Sequence, residues 1–317
     1  MNVLLLVIDQ QRINLDQFYG AIIEEAEAGE VRRLSSAEQS NLRRYFSANV
    51  DVERFDRIVL MLRFKLIRKQ VRFLRAIPNL VLIEHDACQN YMEGKYKGEF
   101  SHFYKKMPWV RVLVSGFNVA QKLKAEGVDA CFVPKGYDSE ALYNSKSKRD
   151  IELGFVGSLA HDAYKDRRIL LEELSAKEDL VIARTNTKEK YLAVLNRIEK
   201  FVSADAGIGE YMAKNFEAMA CGCLLLAWDQ GESENKALGF VDMKNVVLYS
   251  GISDLMNKLS KLREDNVLAH SVADAGSVLA RDYYAWPVLG KRAVEEMAKP
   301  LKEKPDEQFW FLDWLRR

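Results

Sequence analysis

The 317-residue chain has no apolar run approaching the roughly 20 residues needed to cross a bilayer, which excludes a membrane-spanning helix. It has almost no net charge. Its 47 Lys and Arg against 46 Asp and Glu leave a formal +1, so global electrostatics gives no argument for a nucleic-acid partner. Cysteine is scarce: Cys88, Cys131, Cys221 and Cys223 show neither zinc-ligand spacing nor a disulfide pattern, and buried thiols in a reducing cytoplasm are the expected state. His and Asp do not cluster at ligand spacing, so the expectation is no metal and no cofactor. Low-complexity tracts and internal repeats are also absent. The opening "MNVLLLVIDQQR" lacks a basic stretch ahead of its apolar residues and a small-residue cleavage site, and reads as a first strand rather than a signal peptide.

What is present is the composition of a globular enzyme or binding protein, 48% hydrophobic and 29% charged. The length fits two domains of about 150 residues each. Strand-like runs at 3–8, 57–62, 80–86, 110–115 and 130–136 alternate with helix-like segments around 16–28, 35–49, 64–76 and 117–126. That rhythm predicts a parallel sheet covered on both faces. At "YNSKSKRD" (143–150) the apolar pattern lapses into linker composition, and the rhythm then restarts with strands near 151–157, 180–183, 200–205, 224–228 and 245–250. The predicted architecture is α/β: two Rossmann-like domains, 1–145 and 146–317, facing each other across a cleft.

Within the second half, "NFEAMACGCLLLAWD" (215–229) places one acid, Glu217, on a helix-like segment. A Cys-Gly-Cys break follows, then the continuous apolar run Leu224–Ala227 of a buried strand. In an open α/β sheet such junctions border the crevice where ligands sit. "AGIGEYM" (206–212) contains G-x-G but has Met212 where a third glycine would complete a dinucleotide fingerprint, so it reads as a loop that lets backbone amides approach a phosphate or sugar. In "GSLAHDAYKDRRILL", Gly157 and Ser158 allow close backbone approach after a strand, and Lys165, Arg167 and Arg168 open the next helix.

Taken in order, these motifs resemble the group 1 glycosyltransferases, the large retaining family with the GT-B fold. "FEAMACGCLLLAW" resembles that family's acidic E-A-M-A-C-G segment and following strand. "CFVPKGYDSEALY" resembles its V-I-P-N-G-V-D stretch, with Lys135 in place of Asn. "ELGFVGSLAHDAYKDRRILLEEL" resembles the opening of the second domain, and "YYAWPVLGKRAVEEM" the late segment in which a Trp follows aromatic residues and the C-terminal helix returns toward the first domain. The likeness runs in order from about residue 80 to 295.

The resemblance implies a retaining hexosyltransferase moving a sugar from a nucleoside diphosphate sugar to a glycan or glycolipid acceptor in bacterial surface polysaccharide or lipopolysaccharide synthesis. It implies that Glu217 accepts hydrogen bonds from the ribose hydroxyls and that His85, after a strand, contacts the transferred sugar, with Glu84 and Asp86 as neighbours able to substitute. A second acid usually stands eight residues before the first. Here that position is Gly209, and the acid is next door at Glu210; either Glu210 takes the sugar contact or Lys214 does part of the work. Asn215 joins Gly157, Ser158, Gly209, Glu210, Lys214 and Glu217 as expected substrate contacts. Lys165 and Arg168, with His85, are the expected catalytic groups, because the departing diphosphate needs stabilised negative charge.

"RFKLIRKQVRFLRA" (63–76) reads as one basic amphipathic helix, either resting on anionic lipid or covering its own sheet with a snorkelling basic face. The expected location is cytoplasmic, with a peripheral position at the inner membrane face left open. "FWFLDWL" (309–315) reads as a returning helix. The alternative function is a nucleotide-sugar-binding protein or an epimerase of the same architecture, with His102 and His161 as candidate bases.

Overall fold

The structure, a computed structural model, describes residues 1–9, 14–159 and 165–304. The first domain runs β1 (Asn2–Ile8), α1 (Asp16–Glu25), β2 (Ala28–Leu34), α2 (Ser36–Ser40), α3 (Leu42–Asn49), β3 (Arg57–Met61), α4 (Phe64–Ile67), α5 (Val71–Leu74), β4 (Leu80–Glu84), α6 (Glu99–Tyr104), β5 (Arg111–Val114), α7 (Phe117–Ala125) and β6 (Asp129–Phe132). Its strands pair in parallel in the order β2-β1-β3-β4-β5-β6. The second domain runs β7 (Ile151–Val156), α8 (Lys165–Ser175), β8 (Leu180–Ala183), α9 (Lys188–Arg197), β9 (Ile198–Ser203), α10 (Ala213–Ala220), β10 (Leu224–Trp228), α11 (Glu232–Ala237), β11 (Val247–Tyr249), α12 (Ile252–Glu264) and α13 (Asn266–Tyr283), followed by α14 (Trp286–Ala298). Its sheet is parallel in the order β11-β10-β9-β7-β8.

Both orders reverse direction once, between β1 and β3 in the first sheet and between β7 and β9 in the second. Loops leaving the carboxyl ends of those strand pairs diverge to opposite faces and open a crevice. The central strands are buried on both faces: Leu4 and Leu6 join one core with Leu60, Leu82 and Val112, and Val3, Leu5 and Val7 join the other with Val59 and Val81. Continuous apolar runs are what two-sided burial requires. β2 differs: "AGEVRRL" is an edge strand with only Leu34 buried, and its charged residues gave it no strand signature. The segment 63–76 is also not one helix. It forms the two four-residue helices α4 and α5, with the break before Gln70, whose side-chain amide donates to the carbonyls of Gln39 (2.7 Å) and Leu66 (3.1 Å).

α14 returns from the second domain to the first. Trp286, Leu289, Ala293, Val294 and Met297 complete the core on the second face of the first sheet. Gly290 lets it lie against α1, since a Cβ there would stand 2.5 Å from that of Ala21. The expected tail helix at 309–315 lies outside the described residues; α14 is the returning element. Where α14 crosses, Tyr137 N–H donates to the Tyr284 carbonyl (3.1 Å) and Trp286 N–H to the Tyr137 carbonyl (3.0 Å), so both crossings between domains are stitched together. Gly136 sits inside that stitch, 2.3 Å from the Tyr284 carbonyl for any added Cβ.

The far end of α14 is held by arginines from the sheet. Arg111 donates to the carbonyls of Glu296 (2.8 Å), Lys299 (2.9 Å) and Pro300 (2.7 Å), and Arg57 to Met297 (2.7 Å). These contacts satisfy the orphan carbonyls of a helix end. Arg111→Met should therefore destabilise the protein by about 2–3 kcal/mol and expose residues 299–304 to proteolysis, as urea unfolding and limited digestion would show. Wild-type stability would mean that Arg111 does not hold the end of α14.

Candidate functional site

The carboxyl ends of β7 and β9 meet the amino end of α10 at the reversal point of the second sheet. α10 begins at Ala213 with Met212 as its N-cap and no side-chain cap, so the N–H groups of its first turn receive no hydrogen bond from the N-cap side chain. It ends in a Schellman turn: Gly222 has φ +80°, its N–H donates to Met219 (2.9 Å), and Cys223 N–H donates to Ala218 (3.0 Å). The chain thereby enters the fully buried β10 directly, which is why the small residues stand between Glu217 and Leu224.

Four groups converge at this point. Gly157, at the end of β7, is so close to α10 that a Cβ would stand 3.1 Å from Cε of Lys214. The Lys214 ammonium lies over the ring of Tyr191 at 5.1 Å, and the Tyr191 hydroxyl, from α9, donates to Glu217. Burial pushes the Glu217 carboxyl above its ordinary range against the pull of Lys214 and the Tyr191 hydroxyl. Burial likewise lowers Lys214, with Glu217 opposing. Asn215 is fully buried and points inward, its amide donating to Asp205 at 2.8 Å; it shapes α10 rather than facing a ligand. Beside Tyr191, a cavity of about 580 Å³ is lined by Ala183, Arg184, Thr185, Asn186, Lys190 and Val194, between the end of β8 and the start of α9. Tyr191 and Asp205 carry no motif in the sequence; only the Tyr191 spacing one helix turn beyond Thr187, the cap of α9, places it at the crevice edge.

The basic residues after β7 divide. Lys165 is exposed on the first turn of α8. Arg168 donates to the Leu159 carbonyl at 2.6 Å and braces the turn that contains Gly157 and Ser158. Arg167 is buried in an ion pair with Asp205 at 2.7 Å, so it belongs to the scaffold and is not a diphosphate ligand. His161 lies outside the described residues, and His102 sits on α6, away from this edge.

The loop 206–212 does something other than approach a phosphate. Gly207 and Gly209 adopt φ +76° and +79°, and the turn drives Ile208 into the core of the first domain. Glu210 follows it and is fully buried, paired with Lys135 and accepting from the Ser115 hydroxyl at 3.0 Å. Burial works against the Lys135 ammonium, but Glu210 outweighs it and holds the pKa of that lysine up. Glu210 is thus a link between domains and has no open face for a sugar. Gly209 beside it is exposed, with open space where a Cβ would be. A second link joins Glu234 of α11 to the amino end of α7, where its carboxylate accepts from Phe117 N–H (3.1 Å) and Asn118 N–H (2.7 Å). Burial raises this acid to about 7 in spite of the two donors.

On the first-domain side, His85 leaves the end of β4 half-buried, stacked parallel to Trp286 at 6.0 Å. Burial, helped by Lys135, pushes its pKa down to about 3, so it is a neutral ring packed against Trp286 and Phe18. Burial raises Glu84 to about 8, with Asp86 adding to it. Glu84 borders a narrow apolar pocket formed by Leu62, Phe64, Ile67, Phe103 and Tyr104. Asp86 is exposed. Among the described residues no group of three or more His, Cys, Asp or Glu is placed to hold a metal ion, and no helix is long and apolar enough to cross a membrane. All four cysteines are free thiols.

Two parallel α/β sheets with their carboxyl ends apposed, and a last helix returning to the first, are the GT-B fold of glycosyltransferases. Residues 146–287, which carry Gly157, Lys214 and Glu217, match the family described as "Glycosyl transferase-like". HepE from Anabaena, solved in complex with UDP-glucose, has a similar structure (TM-score 0.67, 11% identity, 95% of this chain and all of that one). Sucrose-phosphate synthase from Thermosynechococcus elongatus is comparable (TM-score 0.66, 11% identity, 93% of this chain and 98% of that one), as is a glycosyltransferase from Rickettsia africae (TM-score 0.60, 10% identity, 94% and 98%). At these identities the likeness is one of fold. No curated protein matches the chain in sequence.

Glu210→Gln leaves the Lys135 ammonium buried without its counter-charge and should cost about 3–5 kcal/mol of stability. Replacing both by apolar residues, Lys135→Met with Glu210→Leu, should recover most of that loss. Denaturant titration of the two variants checks this, and a benign Glu210→Gln would show that the pair is not the link described.

Proposed function

We propose that the protein is a retaining hexosyltransferase that moves a sugar from a nucleoside diphosphate sugar to a glycan or glycolipid acceptor. The carrying observation is the convergence of Gly157, Lys214 and Glu217 on the uncapped start of α10, at the reversal point of the second sheet. The diphosphate takes the helix N-terminus and the Lys214 ammonium; Lys165 reaches it from the exposed first turn of α8, and the turn braced by Arg168 brings the backbone of Gly157 and Ser158 close. Glu217 accepts from the ribose hydroxyls, a role that suits an acceptor-only carboxylate. The cavity beside Tyr191 holds the nucleobase. No metal and no cofactor enters this reading, because protein cations and backbone N–H groups supply the positive charge.

In the transfer step the bond between the anomeric carbon and the diphosphate oxygen breaks, the acceptor hydroxyl adds on the same face, and its proton passes to the departing phosphate oxygen. Neutral His85 and the open backbone at Gly209 bound the sugar. HepE, of like fold, is solved with UDP-glucose, which makes UDP-sugars the first donors to test.

The acceptor side carries exposed Arg43, Arg44, Lys65, Lys69 and Arg72, on α3 to α5 and their joins, with Phe73 half-buried among them. α4 follows the carboxyl end of β3, so this cationic surface adjoins the crevice and suits an enzyme of the cytoplasmic membrane face that builds surface polysaccharide or lipopolysaccharide.

Glu217→Gln should fold normally and weaken donor binding by about 1.5–3 kcal/mol, as calorimetric titration beside a melting curve would register. Unchanged affinity overturns the assignment, and sugar conversion without acceptor-dependent release of nucleoside diphosphate points to an epimerase. Lys65→Glu, Lys69→Glu and Arg72→Glu together should lower binding to phosphatidylglycerol vesicles by about 1 kcal/mol per charge. Co-sedimentation unaffected by the triple change retires the membrane contact.

A further inference from the structure

We infer that Tyr191 is a positioning residue of the donor site: one side chain on α9 fixes both groups of α10 that meet the nucleotide, its hydroxyl holding Glu217 and its ring face holding Lys214. This inference rests on the donor site proposed above. Tyr191 is half-buried and follows Lys190, which lines the neighbouring cavity with Thr185 and Asn186.

The chemistry calls for such a residue. Glu217 stands one helix turn after Lys214, and left alone the two would pair along the helix face. A direct pair would use up the carboxylate oxygens and the ammonium protons that the donor needs. Tyr191 separates their tasks. Its O–H donates to one carboxylate oxygen, Oε2, leaving Oε1 and the remaining lone pairs for the ribose hydroxyls. Its ring offers the Lys214 ammonium a cation–π contact that places the charge without using a carboxylate oxygen of Glu217.

The charged and titratable groups around Glu217 are Lys214 on its own helix, Tyr191 on α9, and Cys221 in the turn below, with Arg167 and Asp205 acting on Lys214 from behind. Burial already raises the Glu217 pKa, and the Tyr191 hydroxyl is one of two groups opposing it. Removing that hydroxyl raises the pKa further. Since the ionised carboxylate is the form that accepts from ribose, donor binding in Tyr191→Phe must fail at a higher pH on acidification than in the wild type. The loss is complete below the new pKa and absent well above it.

The test uses the full chain and, as probe, whichever of UDP, GDP, ADP, CDP and dTDP raises the wild-type melting temperature most. Tyr191→Phe should weaken its binding about tenfold at neutral pH and shift the acid midpoint of binding upward. Glu217→Gln should weaken binding with no acid midpoint, and Tyr191→Phe should add nothing to it in the double variant. Tyr191→Leu, which also removes the ring, should weaken binding beyond Tyr191→Phe and make it more sensitive to salt. An unchanged acid midpoint in Tyr191→Phe, or full additivity with Glu217→Gln, overturns the positioning role while leaving the donor site standing. Wild-type affinity in Glu217→Gln, or no nucleotide bound by the wild type, overturns the donor site and this inference with it.

Discussion

The carboxylate of Asp205 is the fixed point on which the donor side of the protein is built. It is almost completely buried, so its charge must be matched on every lone pair. Arg167 reaches one oxygen at 2.7 Å, while Ser203 (3.0 Å), Asn215 (2.8 Å) and the Met212 N–H (3.3 Å) reach the other. Those four partners come from β9, from the loop beyond it and from the helices on either side. One ion therefore fixes where β9 stops, how the loop 206–212 leaves, and where α10 begins. The direction of the α10 N-terminus follows from that, and with it the positions of Lys214 and Glu217. Arg167 and Asn215 act on the start of α10 through Asp205.

The loop that starts at Asp205 also determines how the two domains face each other. Ile208 is a core residue of the first domain carried on the backbone of the second. Glu210 places an ion pair with Lys135 immediately behind it, where partial exposure would be less demanding than the full burial observed. Buried pairs of this kind add little net stability over apolar packing, but they penalise every arrangement that separates the partners. Glu234 acts in the same sense at the amino end of α7, where the helix dipole favours a negative charge. These two acids and the Tyr137–Ala285 crossing define one relative placement of the sheets, in which His85 of the first domain stacks on Trp286 of α14.

Much of this was legible in the sequence because two-sided burial leaves continuous apolar runs and because the Cys221-Gly222-Cys223 turn can follow a helix in only one way. β2 was not legible: as an edge strand it needs no apolar pattern, and Glu30, Arg32 and Arg33 hide it. The basic stretch 63–76 carries a helical period although it folds as two short helices, since periodicity reports which side faces the core and says nothing of a break at Arg68–Gln70. Glu217 could be singled out by its motif, but its partner Tyr191 lies 26 residues away on another helix. The role of Glu210 was illegible for the same reason. An acid beside two glycines looks like a ligand-binding loop until the lysine that neutralises it, 75 residues earlier, is brought into contact.

The electrostatic state of the donor site is itself an argument for an anionic, hydroxyl-bearing ligand. Burial disfavours the charged forms of both Lys214 and Glu217, so the lysine is a weaker base and the glutamate a weaker acid than in water. Each is only partly compensated by the other and by Tyr191. A diphosphate placed against Lys214 restores the missing negative charge, and ribose hydroxyls placed against Glu217 restore the missing donors. Both ionised forms are then favoured at once. A neutral hydroxyl-bearing ligand would relieve only the glutamate, and a free phosphate would relieve only the lysine. The protein thus holds two under-solvated charges of opposite sign, separated by one helix turn and kept from full pairing by a tyrosine, and a nucleoside diphosphate has the negative charge and the hydroxyl donors to satisfy both together.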